Sequence, residues 1–101
     1  MQALIANEYN HSMIRKDLRI VNKLGLHARA AAKLVTLASR YGADVQLYRN
    51  GQQVNGKSIM GVMMLAANKG SDITVEVEGE DEDRAMEAIE QLVADRFGED
   101  E

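Results

Sequence analysis

A chain of 101 residues has room for one domain, and a hydrophobic content of 46% is enough for one core. It has no cysteine, two histidines and a formal net charge of −4, which excludes disulfides, thiolate metal sites and thiol nucleophiles and disfavours a histidine metal site. No run approaches the roughly 18 apolar residues of a membrane span. The opening MQALIANEYNHS has neither the basic start nor the apolar stretch of a signal peptide, so a cytoplasmic protein is expected.

The charge is unevenly placed. Residues 1–75 carry ten Lys and Arg against four acids, a balance of +6, and residues 76–101 carry two Arg against twelve acids, a balance of −10. Most such runs are solvated faces. Where they act, summed charge steers encounters: the basic part meets an acidic partner and the acidic end faces water.

Residues 1–14 show no periodicity and are read as an N-terminal tail. The domain is expected over 15–98, followed by an acidic end, 99–101, that frays. Arg15 to Val21 alternates, with Lys16, Leu18 and Ile20 on one face and Leu18 and Ile20 as the core pair of a first strand. Asn22 to His27 is a loop in which Gly25 supplies backbone freedom. From Ala28 onward, Ala31, Leu34, Val35, Ala38 and Tyr41 recur at spacings of three and four, an amphipathic helix that Gly42 stops. Val45 and Leu47 mark a second strand, Asn50–Gly51 a tight hairpin turn, and Gln53–Val54 the return strand. Ser58 is a good N-cap for a short helix over Ile59–Asn68 that is apolar on most sides. Ile73, Val75 and Val77 alternate with Thr74, Glu76 and Glu78 in the cleanest strand. A last helix is expected from about Glu82 to Phe97, with Asp81 as its cap and Ala85, Ile89, Leu92 and Val93 facing inward. The order β-α-β-β-α-β-α predicts an α+β protein, an antiparallel sheet with one wet face and helices over the other.

His27 stands where loop meets helix, next to Arg29. The first amides of a helix, here those of Ala28, Arg29 and Ala30, have no acceptors within it, and its dipole is positive at that end. This is a phosphate site, and it favours a neutral, nucleophilic imidazole. Such a ring attacks phosphorus through a lone pair without a general base, while the amides and the Arg29 fork hold the oxygens. On position alone a histidine before a helix is more often a surface residue or a cap, and Gly-x-His-x-Arg is a weak string.

A family resemblance adds what the string alone does not carry. Leu24–Gly25–Leu26–His27–Ala28–Arg29 closely resembles the phosphorylation-site motif of HPr, the histidine phosphocarrier of the bacterial phosphotransferase system. Gly56–Lys57–Ser58–Ile59–Met60–Gly61–Val62–Met63–Met64–Leu65 resembles the regulatory serine motif of the same family, at the family spacing. The resemblance covers about residues 15–97. It implies an open-faced β-sandwich with a four-stranded antiparallel sheet. It also implies that His27 is phosphorylated on Nδ1, the pros nitrogen, that Arg29 binds the phosphate, and that Ser58 is the serine modified by HPr kinase/phosphorylase. The implied donor is Enzyme I, charged by phosphoenolpyruvate, and the implied acceptors are Enzyme IIA-type proteins. A monomer without cofactor or metal, acting as a carrier and not as an independent enzyme, is expected. Most members have proline where this chain has Ala30, which retains an N–H that proline lacks. The His-Ala-Arg-Ala variant resembles proteobacterial members, including those of regulatory, nitrogen-related systems.

The Met-rich run cannot hide all its apolar residues. Ile59, Met60 and Met63 lie beside Ser58 and read as a docking patch, since flexible Met-rich surfaces suit several partners. Two rival readings differ in class. A small nucleic-acid binder fits the basic first part but lacks an aromatic ribonucleoprotein motif and has a negative total charge. A purely regulatory binding module would use Ser58 instead of His27 as its working residue.

Overall fold

The computed structural model describes residues 13–101. His11, expected to play no part, and the N-terminal tail up to residue 12 lie outside the described residues. The elements are β1 (Ile14–Arg19), α1 (Ala28–Ala38), β2 (Asp44–Arg49), β3 (Gln52–Asn55), α2 (Ile59–Met64), β4 (Asp72–Glu78) and α3 (Glu82–Ala94), followed by a single 3-10 turn, Arg96–Gly98. The order is the one the periodicities predict.

The four strands form one antiparallel sheet in the order β1-β4-β2-β3. Side chains alternate across a strand, so the register Leu47↔Val75 and Val45↔Val77 places four apolar residues on one face together. That face is sealed: Val45, Leu47, Ile73, Val75 and Val77 are buried with Leu34 of α1, Val62 of α2 and Ile89 of α3. The opposite face is wet. There Arg15 pairs with Glu76, the Tyr48 hydroxyl donates to Glu76 at 2.8 Å, and Thr74 Oγ1 donates to Asp17 at 2.7 Å. Among the described residues no helix is long and apolar enough to cross a membrane.

Asn50 and Gly51, with φ of 53° and 81°, both occupy the left-handed region that a two-residue hairpin between β2 and β3 requires. The edge strand β1 is less regular than its pattern. Ile20 is buried, but it lies past the strand's end, tied instead by its amide to Ser71 O at 2.8 Å. Lys16 shares the inner face yet remains half-exposed, and its Nζ reaches Glu90 of α3 at 3.2 Å.

Three element ends differ from expectation. α1 closes at Ala38, before Gly42, because the next amides tighten to i→i−3 bonds such as Arg40 N to Leu37 O. α2 stops at Met64 instead of Asn68, since Leu65 and Ala66 bond back to Val62 and Met63 and Ala66 takes φ of 50°. α3 stops at Ala94, after which Arg96 and Phe97 turn left-handed, with φ of 56° and 55°. That reversal brings Phe97, the chain's one phenylalanine, into the core, where it is fully buried. Asp81 is the N-cap residue of α3, as expected, but its side chain makes no cap hydrogen bond: the carboxylate accepts from the amides of Gly42 and Ala43, both at 2.9 Å, and so fastens the α1–β2 loop to the start of α3.

Candidate functional site

The loop that carries His27 is held by backbone. Leu26 N donates to Ala67 O at 2.9 Å, which fixes the loop against the segment after α2. The approach leaves no room for a side chain at Gly25, where φ is +68° and a Cβ would stand 2.4 Å from Ala67 O. Gly25 therefore meets two demands that other residues fail together. Asn22, fully buried, braces the same loop by donating from Nδ2 to Gly25 O at 2.8 Å.

His27 follows as the N-cap of α1, with φ −74° and ψ 178°, and its side chain makes no cap hydrogen bond. The first amide of α1 to reach back is that of Ala31, on His27 O at 2.8 Å. The amides of Ala28 and Arg29 precede it at an exposed helix start. Ala30, the third of the expected amides, is fully buried. Arg29 is exposed, and among the described residues no hydrogen bond or ion pair holds its guanidinium.

The acidic end does not fray. Lys33 Nζ donates to Phe97 O at 2.7 Å, Lys23 N donates to Glu101 O at 2.8 Å, and Asn22 Nδ2 donates to Glu99 Oε1 at 2.9 Å. The strap so formed brings Glu99 Oε2 to 2.5 Å from His27 Nε2. The hydrogen bond from Asn22, aided by His27 and Lys33, holds the Glu99 carboxyl below the usual carboxylate range, against the opposing effect of burial. An ionised carboxylate can only accept, so Nε2 is the donor in this hydrogen bond, and Nδ1 is the ring nitrogen left facing the helix start. Glu99 and Asn22 are the two site residues that the sequence does not flag, because they act across 77 and 72 positions of chain. Lys23, Leu24, Arg29 and the acidic end line an open cleft around the ring.

Ser58 occupies the N-cap of α2, and its Oγ accepts from Gly61 N at 3.1 Å. Next to it Ile59, Met60 and Met63 are exposed, by 43%, 72% and 40%, while Val62 and Leu65 point into the core. Met64 and Leu24 are exposed as well, by 61% and 64%.

Comparison with known proteins agrees with this arrangement. The family described as "PTS HPr component phosphorylation site" matches residues 14–95. The phosphocarrier protein HPr of Cupriavidus necator is 57% identical over 89 residues, covering 88% of this chain and all of that protein. The HPr of Pseudomonas aeruginosa is 54% identical, covering 84% of this chain and 96% of its own. Among solved structures, an HPr from Thermoanaerobacter tengcongensis superposes with a TM-score of 0.84 at 38% identity, over 87% of this chain and 99% of the other. One from Bacillus anthracis superposes at 0.78 with 44% identity, over 81% and 98%. None of these names distinguishes a sugar-transport from a nitrogen-related branch.

Proposed function

The chain belongs to the HPr family, the phosphocarriers of the bacterial phosphotransferase system, and from that premise we propose that His27 takes a phosphoryl group on Nδ1 from phospho-Enzyme I and passes it to Enzyme IIA-type proteins. The observation that carries this reading is the state of the ring. Nε2 is engaged by Glu99, and Nδ1 stands free at the exposed start of α1. Its lone pair attacks the phosphorus in line as the bond to the donor's nitrogen breaks. The amides of Ala28 and Arg29 and the Arg29 guanidinium hold the phosphoryl oxygens. The ring is partly exposed, 29% by side chain, so a transferred group stays within reach of the next protein.

Docking falls to the exposed apolar residues of α2, Ile59, Met60 and Met63. Ser58, half-buried at the edge of that surface, is the site at which HPr kinase/phosphorylase regulates docking. We place the protein in the cytoplasm as a monomer, organised as one domain over 15–98.

The test is to incubate the pure chain with Enzyme I, Mg²⁺ and phosphoenolpyruvate and to map the label. Acid-labile phosphate on His27 is expected. Acid-stable phosphate on Ser58 alone would replace the carrier with the regulatory module.

A further inference from the structure

We propose that Glu99 is a positioning residue that sets the poise of the transfer: pinned by Asn22, it keeps the proton on His27 Nε2 and offsets the charge that the ring gains when Nδ1 is phosphorylated. The proposal rests on His27 as the acceptor. Its geometry is over-determined. Both hydrogens of the Asn22 amide are used, one on Gly25 O and one on Glu99 Oε1. Turning the amide over would set its oxygen against two acceptors, so the orientation has one solution. With Oε1 held, Oε2 has little freedom other than to face the ring.

The charge balance follows from the bonds. The form of the ring that attacks is the neutral one, with hydrogen on Nε2 and a lone pair on Nδ1. The lone pair forms the new N–P bond while the N–P bond of the phosphohistidine donor breaks and its electron pair returns to the donor ring. His27 has then gained a bond without losing the Nε2 proton, and its ring carries a formal positive charge. When the phosphoryl group moves on, the electron pair returns to Nδ1 and the ring is neutral again. A fixed carboxylate at hydrogen-bond distance from Nε2 therefore stabilises the loaded carrier relative to the empty one.

Other charges face the same ring. Lys23 and Arg29 line the cleft and oppose the effect, Lys33 acts on Glu99, and Asp100 and Glu101 line the same cleft. Glu101 pairs with Lys23 Nζ at 3.1 Å, with both side chains about two-thirds exposed, 68% and 67%. Solvent weakens such a pair. Glu99, with a side chain 16% exposed, is the acid with purchase on the ring.

The experiment reads an equilibrium and not a rate. Phospho-Enzyme I, freed of phosphoenolpyruvate, is equilibrated with the full chain, and the label is divided between the two proteins. Glu99→Gln is expected to lower the share on the carrier by about tenfold, the scale of one partly screened charge-assisted bond, with little change in Tm. Glu99→Asp, which keeps the charge on a shorter stem, should recover part of it. Asp100→Asn removes an equal charge nearby and should leave the share within about twofold. An unchanged share in Glu99→Gln overturns the proposal, and so does an equal drop in Asp100→Asn, which would reduce the effect to net charge. A wild-type chain that takes no label on His27 breaks the carrier reading itself, a separate failure.

Discussion

Two helix starts in this molecule bear the residues that matter most, and they are finished in opposite ways. At α2 the cap is filled from within: Ser58 Oγ accepts from Gly61 N, and the turn is closed by its own side chain. At α1 the cap residue is His27, whose side chain turns away from the helix to Glu99 and leaves the first exposed amides without a side-chain acceptor. A serine cap of this kind contributes about 1 kcal/mol of stability. The start of α1 forgoes that contribution, and the donors that a cap would have taken face the cleft instead. A helix end can serve stability or serve a ligand, and the residue at the N-cap decides which.

Removing the ring from the open start should have the largest effect. His27→Ala is expected to fold, since no cap bond is lost, and to take no label from Enzyme I; labelling at a comparable rate would end the comparison. Arg29→Ala comes next. Loss of charge-assisted bonds worth roughly 1.5–3 kcal/mol predicts transfer slowed by about 10- to 150-fold with Tm unchanged, and Arg29→Lys should restore part of it. Stopped-flow labelling with Enzyme I gives both rates, and equal rates for wild type and Arg29→Ala would remove Arg29 from the site.

At the closed start the expected effect is smaller. Ser58→Asp keeps a capping oxygen at the N-cap, so Tm should hold. The added charge beside Ile59, Met60 and Met63 should slow labelling of His27 several-fold, with part of the loss recovered by salt, because exposed charges screen within about 10 Å at 0.1 M. A melted variant makes Ser58 structural, and a wild-type rate moves the docking surface elsewhere.

The third start, at α3, sharpens the contrast by pH. Asp81 spends its carboxylate on the amides of Gly42 and Ala43, and these bonds, Gly42's first, hold it below its ordinary value despite some desolvation. A carboxyl depressed in the folded state contributes stability above its unfolded value of about 3.9 and loses it as pH falls through the lower folded value. Asp81→Asn should therefore be the less stable protein at pH 7, and its gap to wild type in urea midpoint should narrow below about pH 4. A gap independent of pH would show that the lost carboxylate was not the cause.

What could be read from the sequence shares a physical basis. Val75 and Val77 announce β4 because a half-buried strand repeats every second residue, and Asn50–Gly51 announces its turn because few residue pairs accept two positive φ values. His27 and Arg29 are legible for the same reason, being a short local string at a helix boundary. Glu99 is not. An acid in an acidic end has no local pattern to separate it from solvated neighbours, and its partners are fixed by the fold. One signal was available: Phe97, the single phenylalanine, lies just before Gly98 and the acids, and an aromatic there has to be buried somewhere. Burying it turns the chain back toward Asn22 and His27. Asp81 is legible as the N-cap position of α3, but the use of its carboxylate is not, since distant amides claim it.

The partnership between His27 and Glu99 also has an order in time. A ribosome that has placed residue 27 must add 72 more before residue 99 exists. A nascent chain thus displays the histidine before the carboxylate that faces it, and β1 emerges well before β4, its partner in the sheet.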